Sequence, residues 1–214
     1  LAVTVMILLF LISSVLSFSL NFRFFMILMV YFLMNVAYSN FLKTKVILDV
    51  LIVSLGFLLR CVAGTVLINV DISPWLFICT LMLALFLSFG KRRSELNLME
   101  QGAKDHRTTL GKYSITFLDH LLTISATCSI LTYSLYTMAE STIKRFNTDW
   151  LILTTPFVIY GILRYFFLVQ KHGKGDDPGS LLLKDKPLLL DAFLWISSVI
   201  FIIYLYPIIK PSLP

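Results

Sequence analysis

The sequence predicts an all-α fold, a polytopic transmembrane helical bundle, and three observations carry that reading. Of 214 residues, 58% are hydrophobic and only 14% are charged, and the mean hydropathy is +0.87. A soluble domain of this size needs far more polar surface to cover its core. Apolar runs of about 20 residues, the length that crosses the hydrocarbon layer, recur along the whole chain. The runs are also solid, whereas a membrane β-barrel alternates polar and apolar residues over segments of about 10. Helices satisfy every backbone N–H and C=O within the segment, so they are the expected spanning form.

Seven spans follow in order: Leu1–Leu20, Phe24–Tyr38, Val46–Val70, Trp75–Gly90, Ser114–Met138, Leu151–Gln170 and Leu188–Tyr206. Pro74, Pro187 and Pro207 punctuate segment edges, where a missing N–H does least harm, and Pro156 falls in the first turns of the sixth span. Cys61, Cys79 and Cys128 lie inside apolar runs without metal-ligand spacing, and their odd number argues against a closed disulfide framework. They read as small hydrophobes. Leu1 stands directly in an apolar stretch with neither a basic n-region nor a cleavage site before it, unlike a conventional signal peptide. The reading treats residues 1–214 as one transmembrane domain.

The loops fix an orientation. Lys43, Lys45, Lys91, Arg92, Arg93, Lys104, Arg107, Lys112, Lys171, Lys174, Lys184 and Lys186 follow the even-numbered spans, twelve basic residues on one side. Four face the other way: Arg23, Lys144, Arg145 and Lys210. The positive-inside rule makes the richer face cytoplasmic and the C-terminus external, in a cell (inner or plasma) membrane. The formal charge of +6 is therefore accounted for by orientation and anionic lipid. Nucleic acid is not an expected partner, because the basic stretches are short inter-span loops.

The residues that suggest chemistry sit on or near that face. The connection Lys91–Lys112 is the longest, and it holds Lys91-Arg92-Arg93-Ser94-Glu95, Lys104-Asp105-His106-Arg107 and Lys112-Tyr113. Lysine and arginine recognise phosphate as point charge and as bidentate donor. Glu95 is a candidate ligand for a divalent cation shared with substrate phosphates. Orientation alone would also explain this much positive charge. In the third span Asp49, Val53, Gly56, Arg60 and Gly64 recur every three or four residues and share one helical face. Asp49 and Arg60 stand about 16 Å apart along the axis. Charges within a span normally face a bundle interior or a wet cavity, and Gly56 and Gly64 would admit a neighbouring helix or a ligand beside Arg60. A structural ion pair is the plainer alternative. Arg164 lies within about two turns of the cytoplasmic end and is expected to snorkel there. His106, His120 and His172 match no metal-ligand spacing. The glycine-rich 173–179 stretch lacks the P-loop pattern and reads as a turn.

These strings together resemble the UbiA superfamily of intramembrane prenyltransferases, and most closely its decaprenyl-phosphate phosphoribosyltransferase branch. The resemblance rests on Ala37-Tyr38-Ser39, Leu42-Lys43, Asp49-Val50 and Gly56-Phe57-Leu58-Leu59-Arg60-Cys61-Val62-Ala63-Gly64. It continues through Ser73-Pro74-Trp75, Gly90-Lys91-Arg92-Arg93-Ser94-Glu95-Leu96, Arg107 to Tyr113, Arg164-Tyr165 and Asp185. It implies nine helices around a cavity open to the cytoplasm and to lipid, with two motifs holding Mg²⁺ and a diphosphate. It further implies transfer of a phosphoribosyl group from phosphoribosyl pyrophosphate to a polyprenyl (decaprenyl) phosphate, with pyrophosphate released, in cell wall precursor biosynthesis. Lys91, Arg92 and Glu95 would then occupy the second motif, with Glu95 at the metal. Lys43, Asp49, Arg60, Arg107, Tyr113 and Arg164 would bind substrate.

One departure is large. The family's first motif, Asn-Asp-x-x-Asp-x-x-x-Asp, occurs nowhere in the chain. The resemblance then implies a sequence that begins after that motif, with seven helices of an expected nine and without activity alone. Two other functions compete. One is a UbiA-type enzyme that transfers a prenyl chain from a prenyl diphosphate to an aromatic acceptor. The other is a multi-pass transporter of anionic solutes, which predicts broken helices or repeated halves that the sequence does not display.

Overall fold

The computed structural model describes residues 2–100, 110–172 and 178–205. They form a polytopic helical bundle, divided into two compact units, Leu1–Ile72 and Ser73–Pro214. Six of the described helices are long and apolar enough to cross a membrane by length and composition: Phe22–Asn40, Leu48–Leu67, Pro74–Asn97, Ile115–Met138, Trp150–Lys171 and Lys186–Leu205. The first span of the sequence reading is a helix with a shorter apolar stretch, Leu8–Leu20.

In the first unit, α1 (Ala2–Leu20) turns into α2 (Phe22–Asn40) through Asn21 alone. The Asn21 side chain accepts from the backbone N–H groups of Arg23 (2.8 Å) and Phe24 (3.4 Å), replacing partners that a helix start lacks. Phe10 packs on Phe32 with ring centroids 4.2 Å apart, and Phe18 meets Phe25 edge-on at 5.6 Å. A 3-10 turn, Leu42–Thr44, leads to α3 (Leu48–Leu67), which packs on α2. Ile47, the N-cap of α3, has φ 69° and ψ −46°. A β-branched residue there is strained, so the sharp entry into α3 carries a conformational cost.

In the second unit, α4 (Pro74–Glu100) and α5 (Ile115–Met138) pack along much of their length. The physical reason is a stripe of buried hydroxyl residues on α5, Ser125, Ser129, Thr132 and Thr137. Each donates to a carbonyl of its own helix at 2.7 Å, which hides its polarity and leaves a small surface for close approach. The short α6 (Glu140–Phe146) ends at Asn147, whose left-handed φ of 51° stops the helix. A 3-10 turn, Trp150–Thr154, precedes α7 (Thr155–His172), so Pro156 falls in the first turn as expected. Then come α8 (Pro178–Lys184) and α9 (Lys186–Ile200), which continues as a π-turn, Phe201–Leu205. Asp185 caps α9 by accepting from the Leu188 N–H at 2.9 Å.

One boundary corrects the sequence reading. The fourth span was expected to end at Gly90 and give way to a loop, but α4 runs on to Glu100. The stretch Lys-Arg-Arg-Ser-Glu-Leu-Asn-Leu-Met-Glu contains no helix breaker, and once past the apolar run it continues as a helix whose side chains are charged. Lys91 to Glu95 are therefore held in helical register rather than on a loop.

Candidate functional site

The charged end of α4 is the most organised polar region of the second unit. Arg93 is buried, and its guanidinium donates to Asp119 Oδ1 of α5 at 2.5 Å and to the Val169 carbonyl of α7 at 2.8 Å. One side chain thus ties three helices together at this level. Arg92, also buried, pairs with Glu95 one turn along at 2.6 Å. Lys91 is exposed at the mouth of this cluster. Tyr113 leads into α5, is buried, and stacks on Phe117 at 6.3 Å.

Gly90 connects this cluster to α7. A Cβ at Gly90 would come within 2.8 Å of the Tyr165 hydroxyl and 3.0 Å of its ring, so only glycine lets the Tyr165 ring lie against α4. Arg164, beside Tyr165, donates from Nε to Asp185 Oδ1 (3.2 Å) and from Nη2 to Oδ2 (2.9 Å). Arg164, placed by the sequence where it could snorkel to the end of its span, makes this two-pronged ion pair there, because the partner lies at the start of α9. Neither Asp119 nor Asp185 is marked by sequence spacing as the partner of an arginine. An acidic residue in or beside an apolar span is the signal that finds both.

Beneath the charged end lies a cavity of about 670 Å³ between α4, α5, α7 and α9. Phe86, Leu87 and Tyr165 line it, so its upper rim is one turn from Lys91. The walls are apolar apart from a few groups. The Trp195 Nε1–H donates to the Tyr133 hydroxyl at 2.9 Å. Thr154 donates to the Leu151 carbonyl at 2.6 Å, so Tyr133 must donate to Thr154, at 2.7 Å. Asp191 also lines the cavity, opposite Gly161, where a Cβ would lie 2.8 Å from Asp191 Oδ2.

The first unit holds the remaining candidates. Lys43 is exposed in the 3-10 turn, and Asp49 is completely buried in the first turn of α3. Gly56 does admit its neighbour: a Cβ there would touch Met34 at 3.4 Å and Tyr31 at 3.5 Å. Arg60, however, is exposed, lying over the rings of Phe57 at 4.3 Å and Tyr31 at 5.9 Å. Gly64 has open space around it. The expected face is therefore buried at Asp49 and Gly56 and exposed at Arg60 and Gly64. Arg60 packs on aromatic faces instead of pairing with Asp49, as their axial separation requires.

Arg107, with Lys104 and His106, lies outside the described residues, as do residues 173–177. Among the described residues, no three His, Cys, Asp or Glu side chains gather as a metal cluster. Glu95 is the one carboxylate among the α4 candidates, and it is shared with Arg92. That suits Mg²⁺ held by one or two carboxylates with the rest of its shell from phosphate and water, and not a cage built by protein alone.

No family model matches the chain. It is 31% identical over 194 residues to the decaprenyl-phosphate phosphoribosyltransferase of Mycolicibacterium smegmatis, covering 87% of this chain and 60% of that protein. The protein of that name from Mycobacterium tuberculosis is 32% identical over 81% of this chain and 56% of its own length. The one from Corynebacterium glutamicum is 31% identical over 83% of this chain and 53% of its own. The matches cover both units of the chain, while the chain spans only 53% to 60% of these relatives. This chain is a homologue of the decaprenyl-phosphate phosphoribosyltransferases, a branch of the UbiA family.

Proposed function

We propose that the protein to which this chain belongs is an integral membrane transferase. It moves a 5-phosphoribosyl group from phosphoribosyl pyrophosphate to a polyprenyl phosphate such as decaprenyl phosphate. Beside the homology, one observation supports this reading. The packing of Tyr165 on Gly90 sets a basic helix end directly above an apolar cavity. A water-soluble polyphosphate and a lipid phosphate need those two surroundings side by side.

In the reaction, a phosphate oxygen of the lipid forms a bond to the ribose anomeric carbon. The bond from that carbon to pyrophosphate breaks, and pyrophosphate departs with the electron pair. The acceptor brings its own nucleophile, so binding and charge stabilisation are what remain for the protein. Lys91 and Arg92 bind phosphate oxygens at the α4 end, and Tyr113 and Arg107 are further substrate-binding candidates. Arg164 orients the same region through its pair with Asp185. Lys43, Asp49 and Arg60 are substrate-binding candidates of the first unit. Mg²⁺, with Glu95 as a protein ligand, would neutralise charge on the leaving pyrophosphate. The basic face is cytoplasmic and the C-terminus external, so the donor is drawn from the cytoplasm and the lipid from the bilayer.

The intact protein, reconstituted in liposomes with Mg²⁺, tests this directly. Phosphoribosyl pyrophosphate and polyprenyl phosphate should yield a lipid-linked phosphoribose, detected by mass spectrometry. Product arising instead from a prenyl diphosphate and an aromatic acceptor would overturn the reading, as would anion uptake without any lipid product.

A further inference from the structure

We infer that Asp191 is the sugar-reading residue of this site. Its carboxylate accepts from the vicinal hydroxyls of the ribose while the phosphates lie on the α4 end. The inference rests on the phosphoribosyl reading above and adds a residue that neither the motif strings nor the charged α4 end contains.

Asp191 is a carboxylate within a span, Lys186–Leu205, and such groups are costly unless a partner or a polar ligand meets them. It lines the apolar cavity, and among the described residues it has neither a hydrogen bond nor an ion pair. Several polar groups of the cavity are already used. Trp195, Tyr133, Thr154 and the Leu151 carbonyl form a directed chain in which each donor is spent. The Ser129 and Thr137 hydroxyls donate to their own helix. A purely hydrocarbon ligand would leave Asp191 buried against apolar surface with nothing to accept from. A ligand with hydroxyl groups would satisfy it.

Position narrows the choice of ligand. Asp191 faces Gly161, and Tyr165, one turn further along α7, faces Gly90 at the root of the basic cluster. Along α7 the contact with the carboxylate therefore lies about one helical turn, roughly 5–6 Å of axial rise, deeper than the residue that packs on the Gly90 root of the basic cluster. That step matches the span of a sugar whose phosphate is at one end and whose diol is at the other. A carboxylate taking the hydroxyls of a ribose is a recurring arrangement, because its two oxygens accept from adjacent O–H groups. Gly161 keeps that approach open, since any larger residue would press on the carboxylate.

The test uses the intact protein and two donors, phosphoribosyl pyrophosphate and its 2-deoxyribosyl analogue. The wild type should prefer the ribosyl donor by about 10- to 100-fold in kcat/KM, the range expected for hydrogen bonds to a charged acceptor. Asp191→Asn and Asp191→Ser should reduce that preference to near unity, mainly through KM for the ribosyl donor, and should weaken use of the deoxy donor, which keeps one of the two hydroxyls, by a smaller factor. A variant that remains active and keeps the full preference overturns the inference and leaves the transferase reading intact. Equilibrium binding of ribose 5-phosphate and 2-deoxyribose 5-phosphate separates the two failures. If no transfer occurs, the transferase reading falls. A preference for ribose 5-phosphate that Asp191→Asn abolishes then still supports the sugar site, and equal binding of both sugars overturns it.

Discussion

Arg93 on α4 and Asp119 on α5 meet at 2.5 Å, and the same guanidinium donates to the Val169 carbonyl of α7 at 2.8 Å. The charge is buried while its partner retains some exposure, with side-chain exposures of 9% and 29%. Removing the arginine orphans a carboxylate and a carbonyl together. Arg93→Ala should lower stability by about 2–3 kcal/mol, below the full cost of breaking a wholly buried pair because Asp119 reaches solvent. Arg93→Lys should rescue little, since one ammonium does not reproduce the fork. Thermal unfolding in detergent reads both, and wild-type melting of Arg93→Ala would remove Arg93 from its role as a tether.

The Gly90–Tyr165 contact makes a prediction about paired substitutions. Gly90→Ala alone drives a methyl group into the Tyr165 hydroxyl and ring edge and should cost about 1–3 kcal/mol. Tyr165→Phe removes the nearest of those atoms, so the double variant should be less destabilised than the sum of the singles. Additive losses would mean that the two residues do not press on each other.

Asp185 holds Arg164 and caps α9 at the Leu188 N–H, and substitution separates these two contacts. Asp185→Asn keeps an oxygen to accept from the Leu188 N–H but surrenders the charge that holds Arg164. Asp185→Ala loses both. The alanine variant should therefore be the less stable by about 1 kcal/mol, the usual worth of an N-cap. Equal melting temperatures would show that the cap contributes nothing here.

Candidate site residues with exposed side chains should lose activity without losing the fold. Lys91→Ala and Arg60→Ala should leave melting within about 1 kcal/mol of wild type, as exposed positions usually do. Phosphoribosyl transfer should fall, through KM for the donor in the case of Lys91. Unchanged transfer by Arg60→Ala would take Arg60 out of the site and leave it as a cation resting on the Phe57 and Tyr31 rings.

Glu95 is tested by metal. Glu95→Gln should raise the Mg²⁺ concentration needed for half-maximal transfer, while Glu95→Ala should also release Arg92 from its 2.6 Å pair and lower stability. A metal dependence identical to wild type in Glu95→Gln would exclude Glu95 as a ligand.

The sequence by itself determined the solvent, the helical class and the neighbourhood of the chemistry. Hydrophobic run length decides whether a segment spans a bilayer, and that property is local, so every described span was legible. The strings at Gly90–Leu96 and Gly56–Gly64 were also enough to identify the branch of relatives. Tertiary structure decided what each charge is for. Arg93, Arg164 and Arg60 are the same residue type in or beside apolar spans, yet one ties three helices, one pairs with Asp185 and one lies on aromatic rings. Their fates depend on partners 21 and 26 positions away or on a neighbouring helix, and pairwise electrostatics over such separations leaves no periodic trace in the chain. Asp191 is the sharpest case. In sequence it is one acid in an apolar run, and only the packing of α9 across Gly161 turns it toward a cavity.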